Sequence, residues 1–339
     1  PGAASHPLEV NYRCPAGVVE VADRLLRHNR RRVPKTIRAA PDAPAGGWST
    51  DATDDPVAGT AAAVRAAIDA GAAPADVAVL TRVNATIAPA QVALAVAGVP
   101  ISGGVGTEFA ERTAVRAALA WLRLAGGARF APDDLSEALR RPSRPLHPRI
   151  AEWVAEQRDC DGLLRLAERL TNERDATRVT ELAGDIVRLQ KLVASGAGTE
   201  RALATLIDDI GLGGAVATLD ANRRGMNRAA QGDDLLALRQ LARLHDHGGR
   251  SASFERWLRD HLAARRDPGG VTLATVHRVK GQEWPHVVVH LADDDQFPHR
   301  LAEDVEEERR LFHVAITRAR RQLTVVSGPE PSPFVAELT

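Results

Sequence analysis

The chain has 339 residues, room for about two domains; 44% are hydrophobic and only 4% aromatic, and the abundance of Ala, Leu and Arg favours helices. Lys plus Arg and Asp plus Glu each number 44, so the net charge is zero and a global basic field is excluded; any nucleic-acid contact must come from local patches. Two cysteines, Cys14 and Cys160, suit a reducing compartment and exclude a four-cysteine zinc site. With no secretory signal and no apolar run of membrane-spanning length, the expectation is a soluble cytoplasmic protein with no membrane partner. The chain opens on Pro1 rather than Met, which reads as a piece excised from a longer protein.

Leu8–Tyr12 reads as a short strand, and Pro15 suits a first helical turn. Val18, Val19, Ala22, Leu25 and Leu26 then recur at helical spacing. The run Arg24, Arg27, His28, Arg30, Arg31, Arg32, Lys35 and Arg38 reads as a solvated face, with phosphate contact as the alternative. Pro, Gly, Ala and Asp over 41–59 predict a surface loop. Gly59–Ala70 reads as a helix, Val77–Leu80 as a buried strand, Ile87–Ala97 as a helix and Val99–Ser102 as a short strand. The G-G-V-G of 103–106 is not a phosphate loop, which needs Gly-x4-Gly-Lys-Ser/Thr so that amides and a lysine surround the phosphates. No such loop occurs in the chain, and no Asp-Glu-x-x box ends an upstream strand.

From about Phe109 to Arg266 the periodicity turns helical: 114–124, 133–139, 150–157, 163–170, 179–194, 200–210, 234–246 and 254–265. Two basic clusters interrupt it. One is R-R-P-S-R-P-L-H-P-R (140–149), with Arg141 and Arg144; the other is Arg223, Arg224 and Arg228. Such cations supply sequence-independent phosphate contacts. G-L-G-G (211–214) reads as a helix C-cap.

After Arg266 the β pattern returns. Val271–Thr275 and Val287–Leu291 are β-branched runs of the kind buried in parallel sheets, separated by the polar turn Lys280–Glu283. Val305, Phe312, Ala315, Ile316 and Ala319 line one helical face, and Gln322–Val326 is a last strand. Glu306, Glu307 and Glu308 with Arg309 and Arg310 read as pairs within that helix. By position, Arg318, Arg320 and Arg321 are cations at a helix C-terminus, where they favour the macrodipole. Trp284 and Phe297 read as core, with base stacking as the alternative. His286, His290 and His299 lack metal-binding helix spacing, and Asp293–Asp295 reads as a solvated turn.

T-V-H-R-V-K-G-Q-E-W (275–284) resembles motif V of the UvrD/Rep/PcrA-type superfamily 1 helicases, and E-E-R-R-L-F-H-V-A-I-T-R-A-R (307–320) resembles their motif VI. N-Y-R-C-P (11–15) is similar to motif IV, usually N-Y-R-S-T, and T-R-V-N-A (81–85) to motif IVa. Gln282, where many relatives carry Leu, points to the actinobacterial UvrD-like subgroup. The resemblance implies the C-terminal half of such a protein. Its fold is α/β: a RecA-like, P-loop NTPase-type parallel-sheet domain 2A (1–105 and 267–339) interrupted by an all-α domain 2B (106–266). Where relatives carry a Gly-bearing helix-hairpin-helix turn, this chain has Pro142, Pro145 and Pro148, which puts the usual 2B–duplex contact in doubt.

The implied function is ATP-dependent 3′–5′ translocation on single-stranded DNA and unwinding of duplex DNA in DNA repair, in the cytoplasm at the nucleoid. The resemblance makes Arg13 and Arg318 catalytic sensors of the γ-phosphate and adds Glu283, Gly281 and Lys280 to the nucleotide site. Glu283 would accept from the ribose. Thr275 and His277 become DNA-side residues; Arg141 and Arg144 are the further DNA-contact candidates. Arg82 and Asn84 would sit at the carboxyl end of a sheet strand near the inter-domain cleft, or cap the next helix. The implied cofactors are ATP and Mg2+, the latter held by domains 1A/1B, which are absent partners along with possible repair proteins. Without a phosphate loop, this piece alone is expected to show negligible ATPase. Two alternatives stay open: the motor half of a RecB-like helicase–nuclease, and a non-enzymatic DNA- or partner-binding module.

Overall fold

Five residues in succession, Val77 to Thr81, are fully buried, and the strand they form lies inside the sheet of the first of two compact units. The computed structural model describes residues 9–32, 36–221, 230–246 and 251–339. Leu8, Lys35, Arg223, Arg224 and Arg228, singled out above, lie outside the described residues. Unit one is Pro1–Val105 with Ala264–Thr339; unit two is Gly106–Ala263.

Unit one opens with β1 (Val10–Asn11), α1 (Ala16–Arg27) and β2 (Arg38–Ala39), β1 and β2 pairing in parallel. Then come β3 (Gly47–Ala52), α2 (Pro56–Asp69), β4 (Val77–Thr81), α3 (Ile87–Val96) and β5 (Ile101–Gly103). Unit two holds α4 (Thr113–Gly126), α5 (Pro132–Arg140), α6 (Pro148–Ala155), α7 (Cys160–Arg169) and α8 (Glu173–Ala194). It continues with α9 (Thr199–Ala204), a π turn over Thr205–Asp209, α10 (Leu212–Ala221), α11 (Ala230–Asp246) and α12 (Phe254–Leu262). Unit one resumes with β6 (Val271–Thr275), β7 (Trp284–Val289), α13 (Val305–Ile316), β8 (Ala319–Ser327) and α14 (Pro333–Ala336).

Six strands form one parallel sheet in the order β3-β8-β7-β4-β6-β5. A parallel sheet is covered on both faces. Alternation sends Ala78, Leu80, Val287, Val289, Leu323 and Val325 into one core with α1 and α13, while α2 and α3 pack on the sheet as a separate pair. Within that core Phe312 of α13 sits 5.0 Å from the Phe297 ring and 5.8 Å from Phe334, so truncating it to Ala costs about 3–5 kcal/mol. Asp304 starts α13 by accepting from Glu306 N (2.9 Å) and Glu307 N (3.3 Å).

Three expectations need correction. The loop read over 41–59 contains β3, and α2 begins inside it, at Pro56 behind the Asp55 N-cap. β3 is an edge strand with no buried residue; its ladder with β8 (Gly47↔Gln322 to Ala52↔Ser327) holds it, so no apolar alternation announces it. The approach is close enough that a Cβ on Gly46 would collide with Arg321 O. Second, α10 was missed because Gly213 and Gly214, poor helix formers, lie in its first turn; Gly211 (φ +96°) is the cap before it. Third, Val305 is 47% exposed at the first turn of α13 instead of facing the core.

In unit two, α4 packs against α5, α8 and α11. Trp121 of α4 is fully buried and donates its indole N–H to Arg141 O at 2.8 Å. Among the described residues no single helix is long and apolar enough to cross a membrane. One bent pair, Thr199–Asp209 with Leu212–Ala221, passes that test together, and it buries Leu203, Leu206, Leu212 and Val216.

Candidate functional site

The loop from β6 to β7 runs from the carboxyl edge of the sheet back to its amino edge, beside α13, which travels the same way. Each edge carries a charged cluster, and the two differ in kind.

At the amino edge, Asn11 Oδ1 accepts from Arg13 N (2.9 Å) and Cys14 N (3.0 Å), an Asx turn that fixes the chain after β1. Arg13 Nε donates to Glu283 Oε2 and its Nη1 reaches Thr317 O at 3.4 Å. Trp284 N donates to Arg318 O (3.0 Å), which sets the starts of β7 and β8 side by side and brings Glu283 beside the Arg318 stretch. Arg318 is nearly buried, and its guanidinium donates to Val314 O (3.1 Å) and Gln282 O (3.0 Å). Burial first, then the Arg13 cation, lowers its pKa; an arginine still stays protonated. Arg320 Nε stands 3.6 Å from Glu283 Oε1. Gly281 holds φ +83°, a left-handed turn that a side chain would strain. Lys280 is exposed in the same loop.

At the carboxyl edge, Arg82 grips Glu308 with two hydrogen bonds (2.8 and 2.6 Å), both side chains under a tenth exposed. Glu308 Oε2 also accepts from His299 N at 3.1 Å. Thr275 is buried at the end of β6, opposite Thr81. His277 follows in a short 3-10 turn, its pKa lowered by partial burial and then by Arg82. Asn84 is exposed, and its backbone O accepts from Ile87 N (3.3 Å) at the start of α3, whereas the Arg82 guanidinium is held by Glu308.

The structure therefore joins Arg13, Glu283 and Arg318, and places Thr275 and His277 at the opposite edge. It gives Arg141 and Arg144 other partners. Arg144 pairs with Asp185 and lies 5.4 Å over the Trp121 ring, and Arg141 pairs with Glu137, so both charges are already answered inside unit two. The pairing expected within α13 holds for Glu307 with Arg310 (2.8 Å), but Glu308 turns to Arg82 and Arg309 to Glu337 (2.6 Å) and Asn29 (2.6 Å). Trp284 and Phe297 are core residues. His290 is buried on Thr60 Oγ1 (2.8 Å), and no group of three His, Cys, Asp or Glu suited to a metal occurs among the described residues. Sequence reasoning missed Arg320: the ladder of β7 with β8 shifts register between Trp284 and His286, and this irregularity, which no alternation in the sequence announces, leaves Arg320 beside Glu283 and Arg321 near His286.

Chemically, the amino-edge cluster sets three guanidinium groups against one carboxylate, and Arg318 spends its donors on carbonyls only. An excess of cations, with Arg318 among them fixed and nearly buried, receives a polyanion such as a phosphate chain.

Residues 254–328 match the family model for the UvrD-like helicase C-terminal domain. The chain carries a UvrD-like helicase C-terminal region. Its parallel sheet is accordingly RecA-like, with the Arg318 cluster inside the matched span. Across its full length the chain is 26% identical to DNA helicase II of Escherichia coli (strain K12), of which it covers 51%. It is 29% identical to ATP-dependent DNA helicase UvrD1 of Mycobacterium tuberculosis (strain ATCC 25618 / H37Rv) over 94% of the chain and 45% of that protein. With ATP-dependent DNA helicase UvrD2 of Mycobacterium bovis it shares 30% identity over 98% of the chain and 40% of the relative. The chain thus spans about half the length of the UvrD-like relatives it matches.

Proposed function

We propose that this UvrD-like region is the C-terminal motor part of an ATP-dependent 3′–5′ DNA helicase working in DNA repair. It would supply motifs IV, V and VI to an ATP site completed by domains 1A and 1B, with unit one as domain 2A and unit two as domain 2B. The convergence of Arg13, Glu283 and Arg318 on one open edge carries the reading. The residues fit a nucleotide: two arginines for phosphate oxygens, a carboxylate for a ribose hydroxyl, and Gly281 and Lys280 in the adjoining turn. ATP would supply the phosphoanhydride bond that is hydrolysed. Arg318 and Arg13 would neutralise charge growing on the γ-phosphoryl oxygens, with Arg318 held in place beforehand by Val314 O and Gln282 O. Among the described residues no group of three His, Cys, Asp or Glu suits a metal ion, and Mg2+ would be held by the 1A/1B domains.

At the other edge, the exposed His277 would face the DNA with the buried Thr275 behind it, so that the β6–β7 loop runs from DNA to nucleotide. Single-stranded and duplex DNA are the proposed polymers, and the 1A/1B domains the obligatory partner.

The test mixes this chain with the separately produced 1A/1B part and measures ATP turnover with and without single-stranded DNA. DNA-stimulated turnover in the mixture alone, abolished by Arg318→Ala, is the expected result. An active mixture that ignores Arg318→Ala removes the role given to Arg318. Robust turnover by the chain alone refutes the division of the site.

A further inference from the structure

Glu283 has a cation on each oxygen: Arg13 Nε on Oε2, and Arg320 Nε 3.6 Å from Oε1. The first contact creates a conflict. Arg13 and Glu283 are both needed for the nucleotide, yet each occupies the other. Moving Arg13 to a phosphate would leave the Glu283 carboxylate, whose side chain is 35% exposed, without its hydrogen-bonded cation, a loss of the size of an exposed ion pair. Arg320 removes the conflict. Its side chain is 57% exposed and free to move, and its contact is loose, so closing to hydrogen-bond distance takes less than about 1 Å. Arg318 cannot substitute, since Val314 O and Gln282 O hold its guanidinium. Arg321, next along the strand, lies near His286 instead.

We propose that Arg320 is a positioning residue that takes over Glu283 when Arg13 leaves it for a phosphate. Ligand entry is then a partner exchange at one carboxylate: Arg13 leaves Oε2 as Arg320 closes on Oε1, and the charge of Glu283 stays answered throughout. The inference rests on the phosphate-binding reading of the cluster given above.

Inorganic tripolyphosphate is the probe, because it lacks a ribose and so isolates the release of Arg13 from any sugar contact of Glu283. Its binding to the full chain is measured calorimetrically for wild type, Arg320→Ala, Arg320→Lys, Glu283→Gln and the Glu283→Gln/Arg320→Ala double variant. Thermal melts confirm that each folds, as expected for exposed positions.

Arg320→Ala should weaken binding about three- to five-fold, the upper range for an exposed pair, and Arg320→Lys should recover most of the loss. Glu283→Gln should bind at least as tightly as wild type. On that background Arg320→Ala should change affinity by less than about 1.5-fold, because no carboxylate remains to be handed over. An equal loss in both backgrounds overturns the exchange, since Arg320 would then act on the anion itself. No loss in either background overturns it too. If Arg318→Ala abolishes binding while Arg320→Ala does nothing, only this inference fails. If wild type does not bind the probe, the phosphate reading and the inference fall together.

Discussion

Arg318 and Arg144 are both about nine-tenths buried, and both sit in arginine-rich stretches, yet their surroundings are opposite. Arg144 meets Asp185 and closes over Trp121; its charge is used up in holding unit two together. Arg318 meets two carbonyls, with Arg13 and Arg320 nearby and one carboxylate among the three. The lesson is that a basic stretch is judged by its leftover charge. In unit two, Arg112, Arg123, Arg188 and Arg239 likewise each have a carboxylate within hydrogen-bond distance. The amino edge of the sheet keeps a surplus, and a surplus is what binds an anion.

The comparison can be broken most sharply at the two arginines themselves. In the reconstituted motor, Arg318→Ala should lower ATP turnover by about 10³-fold or more, while Arg144→Ala leaves turnover per folded molecule unchanged. Equal losses would erase the distinction.

Next in size is the closed cluster at the other edge. Arg82→Ala strands Glu308 and should cost about 3–5 kcal/mol in urea unfolding. Pairing it with Glu308→Leu should recover part of that loss, which separates a structural brace from a binding site.

Two buried groups, one in each unit, should respond to acid with opposite signs. Burial pushes the pKa of His290, in unit one, down to about 4 from 6.5. The unfolded chain then binds more protons between those values, so unit one loses stability as pH falls through that window. Burial pushes Asp234, in unit two, up to about 6 from 3.8 despite the pull of Arg112. There the folded state binds the proton more tightly, so unit two loses stability as pH rises from 3.8 to 6. Each effect should amount to about 1–3 kcal/mol. Hydrogen exchange of core amides in each unit reads them separately, and His290→Gln and Asp234→Asn should flatten the two slopes.

The smallest effect concerns the 140–149 run. Arg140 and Arg149 are its exposed arginines. Replacing both with Ala should weaken DNA binding a few-fold and flatten its log–log salt dependence by about 1–2, whereas Arg141→Ala and Arg144→Ala leave the slope alone. A reversed pattern would show that the ion pairs of Arg141 and Arg144 open on DNA.

Legibility followed the range of the forces. Val77–Leu80 was readable because a strand buried on both faces is apolar throughout, and Val271–Thr275 because its β-branched run alternates buried with half-buried residues. β3 was not, because backbone pairing at an edge leaves no mark on side chains. The motif residues Arg13, Glu283 and Arg318 could be named from the chain, but Arg320 was taken for a helix-end cation.

By itself the sequence determined the strands and helices whose faces are buried, and the motifs that mark a UvrD-like region. Only the tertiary structure decided which charges were left over. Arg13 and Glu283 are 270 residues apart in sequence, and Arg82 and Glu308 are 226 apart. Helical or strand periodicity reports a neighbour three or four residues away, or on the adjacent strand position; it carries nothing about a carboxylate brought in from the far end of the chain. Whether an arginine holds the fold or awaits a ligand is set by that distant partner.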